Sequence, residues 1–214
     1  MNALSMVNLG SSLQITVVVV PVAVYFLILG LLNSRPRPQL LTGRLDFALL
    51  VLPLSPLLLL PVMQYLGSAA ALLAGAAALA AVGVLLAPPR ANWVIYNMPV
   101  EAGRRAVRRA FEQAAGQRAR PAGGDLELAG RDARVEITSF PLLRNLSVRL
   151  RAGDRPLAWR FAAALADEVG CVRAETHPSA VALLLVATGM LVMPLTLIAP
   201  QAGEIVRLLT DLLP

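Results

Sequence analysis

The chain has 214 residues, of which 57% are apolar and only 15% charged, with a formal net charge of +6. About 25% charge is usual for a soluble domain, so this composition excludes an ordinary water-exposed fold over the whole length. One cysteine, Cys171, and one histidine, His177, exclude an intrachain disulfide framework, a cysteine cage and a multi-histidine metal site.

The charges are also unevenly placed. None occurs in 1–34, 47–89 or, with His177 neutral, 177–203. A membrane span takes about 20 mostly apolar residues. The first expected span is 13–32. It has no basic residues before it, unlike a secretory leader, and is read as a retained helix. The uncharged run 47–89 is long enough for two spans, placed at 46–66 and 69–87 around a turn at Gly67–Ser68. A fourth is expected at 180–199. The loop after the first span carries Arg35, Arg37 and Arg44 without an acid. The excess of arginine in short loops places it in the cytoplasm, with both termini outside. The expected domains are thus 1–89 with three spans, a cytoplasmic domain over 90–178, and 179–214 with the fourth span and a tail.

Between the third and fourth spans the periodicity changes. Residues 91–98 are β-rich and end at Pro99, which suits a helix start, with Glu101 complementing the helix dipole. Val107, Phe111 and Ala114 then share one face of a helix reaching Gly116, and 117–124 reads as a loop. Leu126/Leu128 and Val135/Ile137 alternate on either side of a turn at 130–132, the pattern of a hairpin. Leu146, Val148 and Leu150 alternate again. Asp154 is an N-cap candidate for a second helix, with Leu157, Phe161 and Leu165 buried and an end near Gly170. Residues 171–176 are expected as a last strand. This βαββ(β)αβ order is that of a ferredoxin-like α/β sandwich, an antiparallel sheet with both helices on one face. The expected fold class is therefore an α+β membrane protein, four transmembrane helices with that domain inserted between helices three and four.

Arg104, Arg105, Arg108 and Arg109, with Arg118 and Arg120, form the densest basic cluster. All 19 basic residues are arginine, a bias that makes a merely solvated helix face the simpler reading. As a functional surface the cluster would meet anionic lipid headgroups or an acidic protein partner. Pro53, Ser55 and Pro56, with Pro61, break the hydrogen-bond ladder of the second span. That is the pattern of a transport path or, more simply, of a kinked packing helix. Thr16, Gln64 and Thr188 would be its other polar lining. Ala76, Ala80 and Gly83, with Ala69 and Ala87, form a stripe for close helix packing within the chain or against another subunit. His177 is expected to cap the strand end, and Cys171 to be a small buried residue. Trp93 and Tyr96 lie on opposite faces of their strand, so no base-stacking platform and no nucleic-acid partner are expected. Glu127, Asp132 and Glu136 are expected at exposed strand and turn positions without a shared pocket. The segment 203–214 reads as an amphipathic helix at the outer interface.

No cofactor, metal or catalytic constellation is expected. The leading expectation is a non-enzymatic membrane scaffold or accessory subunit. Its α/β domain would contact membrane lipids and another membrane or cytoplasmic protein, or a further copy. The alternative is a small homo-oligomeric channel or transporter with the proline-rich second helix lining the path.

Overall fold

The structure, a computed structural model, describes residues 3–65, 68–130, 132–175 and 177–203. Its elements run α1 (Ala3–Ser34), β1 (Gln39–Thr42), α2 (Gly43–Tyr65), α3 (Ser68–Leu86), β2 (Asn92–Tyr96), α4 (Val100–Ala115), β3 (Ala119–Ala122), β4 (Asp125–Leu128), β5 (Ala133–Phe140), β6 (Asn145–Ala152), α5 (Arg155–Gly170) and α6 (Pro178–Ile198). The chain divides into two compact units. One comprises Met1–Ile28, Leu50–Ala81 and Leu183–Pro214; the other comprises Leu29–Leu49 and Val82–Ala182. The second is the sheet unit, since it holds all six strands.

In the sheet unit six strands lie in the order β1-β2-β6-β5-β4-β3, every neighbour antiparallel. The longest ladder joins β5 to β6, from Ala133↔Ala152 to Phe140↔Asn145. Alternation decides which face is buried: Val135, Leu146, Val148 and Leu150 point inward while Arg134, Arg149 and Arg151 point out. On the inner face α4 contributes Val107, Ala110 and Phe111, and α5 contributes Leu157, Phe161 and Leu165. Phe161 takes edge contacts from Trp93 at 5.3 Å and Phe111 at 5.9 Å. Burying each such aromatic contributes about 1.5–3 kcal/mol, so this trio anchors both helices to the sheet. Gly103 lets α4 approach closely: a Cβ there would lie 3.0 Å from Leu146 Cδ2 and 3.2 Å from Met98 Sδ.

This architecture overturns the ferredoxin-like expectation. The described part of the expected last strand, 171–175, forms no strand. Ala174 instead gives its N–H to Pro36 O at 3.0 Å, so that donor is lost to any sheet ladder. The edge of β2 is taken by β1, from the loop after the first helix, with Gln39↔Tyr96 through Thr42↔Trp93 in register. A further strand, β3, forms in the expected loop 117–124 and pairs with β4. The glycine turn that joins them has positive φ, +59° at Gly123 and +102° at Gly124, which a side chain disfavours.

The four-span expectation is corrected as well. Among the described residues two helices are long and apolar enough to cross a membrane, Ile15–Ser34 and Pro178–Thr196, and little of either is buried within the chain. Among the described residues α3 counts only as a shorter apolar helix, Leu73–Leu86. In α2 the first turn carries Arg44 and Asp46, and Asp46 accepts a hydrogen bond from the Tyr96 hydroxyl. Its opening turns, through Leu49, are therefore part of the polar sheet unit. Gly67 of the expected turn, Arg131, Thr176 and residues 204–214 of the expected amphipathic tail lie outside the described residues.

Candidate functional site

The basic helix face is built by the amphipathic pattern of α4. Its apolar side is buried, so Arg104, Arg105, Arg108 and Arg109 are left on the other side. Gly116, in the left-handed region at φ +69°, ends the helix and returns its N–H to Glu112 O at 2.9 Å, the αL cap for which glycine is favoured. The chain then doubles back along β3 and β4 beside the arginines.

The structure splits the four arginines. Arg104, Arg105 and Arg108 line an open groove of about 210 Å³, floored by Pro121, Leu126 and Ile137 and closed by Gly124 and Asp125. Arg104 Nη1 donates to Gly124 O at 3.1 Å, which fixes it on the glycine turn. Arg108 Nε bonds Glu112 Oε1 at 3.1 Å, and the same oxygen accepts the Ala119 N–H at 3.1 Å. Arg109 is not part of the groove; it reaches Glu168 on α5 at 3.7 Å. Arg105 has no ion pair among the described residues. The groove thus offers three guanidinium groups around an apolar floor, a setting for a carboxylate or phosphate with a few carbons attached.

Its one carboxylate is already committed. Asp125 Oδ2 accepts Arg134 Nη2 at 2.7 Å and Nε at 3.1 Å, and Oδ1 accepts the Ile137 N–H at 3.2 Å. The Arg134 hydrogen bond, with the Ile137 amide and the charge of Arg104, holds the Asp125 carboxyl below its usual range despite partial desolvation. Glu112 is desolvated too, which alone would raise it; Arg108, the Ala119 amide and Arg118 outweigh that and lower it. Both stay ionised near neutral pH, so the groove's charge is constant there.

Glu127 and Glu136 are clamps on the open face of the sheet. Arg134 Nη1 meets Glu127 at 3.1 Å, while Arg151 and Arg149 meet Glu136 at 2.6 and 4.0 Å. Asp132 lies elsewhere, in a cavity of about 370 Å³ that it shares with Asp154, Leu157 and Arg160. Asp154 precedes α5 at its cap position without a side-chain capping bond.

A second constellation, not anticipated from sequence, lies where α1 meets the sheet. Asn33 and Asn97 are 1% and 0% exposed. The Asn97 N–H donates to Asn33 Oδ1 at 3.1 Å, Asn97 Nδ2 donates to Arg35 O at 2.8 Å, and Asn33 Nδ2 donates to Leu29 O at 2.9 Å. Asn97 sits at φ +56°, a left-handed position that asparagine tolerates better than most residues. Asn97 Oδ1 finds no partner among the described residues. The one available sign of this joint was an asparagine at each end, closing the apolar run of α1 and preceding Met98-Pro99.

Ser55 Oγ donates to Leu52 O of its own helix at 2.7 Å, and Pro53, Ser55 and Pro56 are partly buried. Ala76, Ala80 and Gly83 are exposed, and a Cβ at Gly83 would meet nothing within 4 Å. His177 Nδ1 accepts the Ser179 N–H at 3.3 Å and lies 2.8 Å from its hydroxyl, so it caps α6 rather than a strand. Cys171 is exposed, not buried as expected, because it sits at the end of α5 instead of in a strand. Trp93 is in the core and Tyr96 is turned to Asp46, on opposite faces of β2. No three His, Cys, Asp or Glu side chains gather as a metal site among the described residues. No family model, curated protein or solved structure matches the chain.

Proposed function

We propose that the chain is a non-enzymatic membrane subunit in which α1 and α6 anchor the sheet unit at the cytoplasmic face of the cell (inner) membrane. Its basic groove then docks an acidic segment of a protein partner. One observation carries the anchoring. The segment leaving α1 and the segment leading into α6 are hydrogen-bonded to each other, Ala174 N–H to Pro36 O at 3.0 Å. A folded domain inserted between two spans must bring those two segments together on one side of a membrane. The excess of arginine beside them, Arg35, Arg37, Arg44, Arg90 and Arg173, supports a cytoplasmic placement. The far ends of α1 and α6 then lie on the outer side.

The docking role rests on the groove. Three arginines around an apolar floor recognise a carboxylate with a short apolar stem, as an acidic peptide presents. Arg105 is available to it without breaking an ion pair seen among the described residues.

Cys171, exposed and the only cysteine, tests the placement without engineering. A membrane-impermeant maleimide is expected to label it in inverted vesicles and not in sealed right-side-out vesicles. Labelling from the outer side alone would sink the cytoplasmic assignment, and extraction by high-pH carbonate would sink the anchoring. For docking, the partner recovered with the wild-type chain in mild detergent is expected to be lost with Arg105→Glu/Arg108→Glu. Its retention there would remove the groove from the reading.

A further inference from the structure

We infer that the outer face of α5 is a self-association surface, and that two copies of this chain pair through it, antiparallel, about a twofold axis near Ala163. Trp159 marks the surface. It is 80% exposed, although full burial of an aromatic side chain is worth kilocalories and exposed tryptophans concentrate at protein contacts. It does not stand alone. Pro156, Trp159, Ala163, Ala166 and Gly170 are all exposed, and they recur at alternating steps of three and four, the seam of a helix pair. Apart from the tryptophan this seam is made of small residues and one proline. A Cβ at Gly170 would meet nothing within 4 Å.

The charges beside the seam select the occupant. Arg160 and Asp167 are exposed, lie on the same flank at 100° per residue, and have no ion pair among the described residues. Arg160 also borders the cavity that holds Asp132 and Asp154, without an ion pair to either. In an antiparallel pair with a perpendicular twofold axis, a flank meets the same flank of the other copy. Residues whose numbers are symmetric about the crossing point then face each other. A crossing beside Ala163 sets Arg160 against Asp167 of the other copy, twice. The same crossing lays each Trp159 ring between Ala166 and Gly170 of the other copy, where small residues leave room for an indole. One register therefore satisfies the tryptophan, the small residues and both charges. A parallel pair would instead bring opposite flanks together and set Arg160 against Arg155 of the other copy. The surface is separate from the basic groove and does not rest on the docking proposal.

The test is the self-association of the full chain in mild detergent, followed across a dilution series by sedimentation. It is paired with oxidative crosslinking of the Ala163→Cys variant in a Cys171→Ser background. The wild type is expected to dimerise, and the Ala163→Cys variant to crosslink to a second copy of itself through the introduced thiol. Trp159→Ala should weaken the dimer on the order of 30-fold. Arg160→Asp or Asp167→Arg alone should weaken it about 3–10-fold, and the two together should restore it, which a folding defect would not do. A monomer at every concentration would overturn the inference. So would a dimer indifferent to Trp159→Ala, the lack of rescue by the double reversal, or crosslinking of the Ala163→Cys variant to a different protein in place of a second copy.

Discussion

The two ends of the six-stranded sheet handle polar groups in opposite ways. At the β1–β2 end, where the segments joined to α1 and α6 meet, the buried joint is neutral: Asn33 with Asn97, Asn97 with the Arg35 carbonyl, Pro36 with Ala174, while the Asp46 carboxylate that takes the Tyr96 hydroxyl is only partly buried. The arginines there, Arg35, Arg37, Arg44, Arg90 and Arg173, have no ion pair among the described residues. At the β4–β5–β6 end the arginines are clamped by Asp125, Glu127 and Glu136. Burying a charge costs far more than burying an amide that keeps its hydrogen bonds. A joint buried to 0–1% exposure is therefore made of amides, whereas solvated strands can carry ion pairs. Identical arginines thus have different work at the two ends.

Mutations at the two ends test this contrast. The largest effect is expected at the neutral joint. Asn97→Ala removes the donor to Arg35 O and places alanine at φ +56°, and Asn33→Leu leaves the buried Asn97 N–H without its acceptor. Each should destabilise the sheet unit by about 2–3 kcal/mol in denaturant unfolding of the detergent-solubilised chain. A loss under about 0.5 kcal/mol would break the contrast. Asp125→Ala comes next at about 1–2 kcal/mol, because it strands the Ile137 N–H as well as the Arg134 pair.

That end should also be the acid-sensitive one. Folding holds Asp125 and Glu112 below their unfolded range of about 4. Their stabilisation is complete above that range and is lost as pH falls through the lower folded values. Unfolding followed from about pH 6 to about pH 3 should show a steeper decline for the wild type than for Asp125→Asn. Equal slopes would assign the acid sensitivity elsewhere. The smallest effect is expected from Arg149→Gln. Its 4.0 Å contact with Glu136 is solvent-exposed, and a change beyond about 0.5 kcal/mol would show that the ion-pair lattice acts as a unit.

Much of the sheet unit was readable because its signals are local. Val107, Phe111 and Ala114 on α4, and Leu146, Val148 and Leu150 on β6, repeat at the helix and strand periods and are buried as those periods require. The basic face of α4 follows from the same pattern. Residues 39–42 carry no alternation and stand between Pro38 and the start of α2. They become a strand only because β2 has an open edge beside them. The division of the arginine cluster, with Arg109 drawn to Glu168 and three others to the groove, also depended on where α5 and the Gly123–Gly124 turn came to lie.

Composition and periodicity determined the apolar stretches, the amphipathic faces and the strand-rich middle, since each depends on residues a few positions apart. The tertiary structure alone decided the strand order, the joint between Asn33 and Asn97 across 64 residues, the clamping of Asp125 and the exposure of Trp159. Those outcomes turn on which distant donors, acceptors and surfaces remain unsatisfied once the local elements have formed, and satisfying buried backbone and amide groups is what selects among the packings that local pattern leaves open.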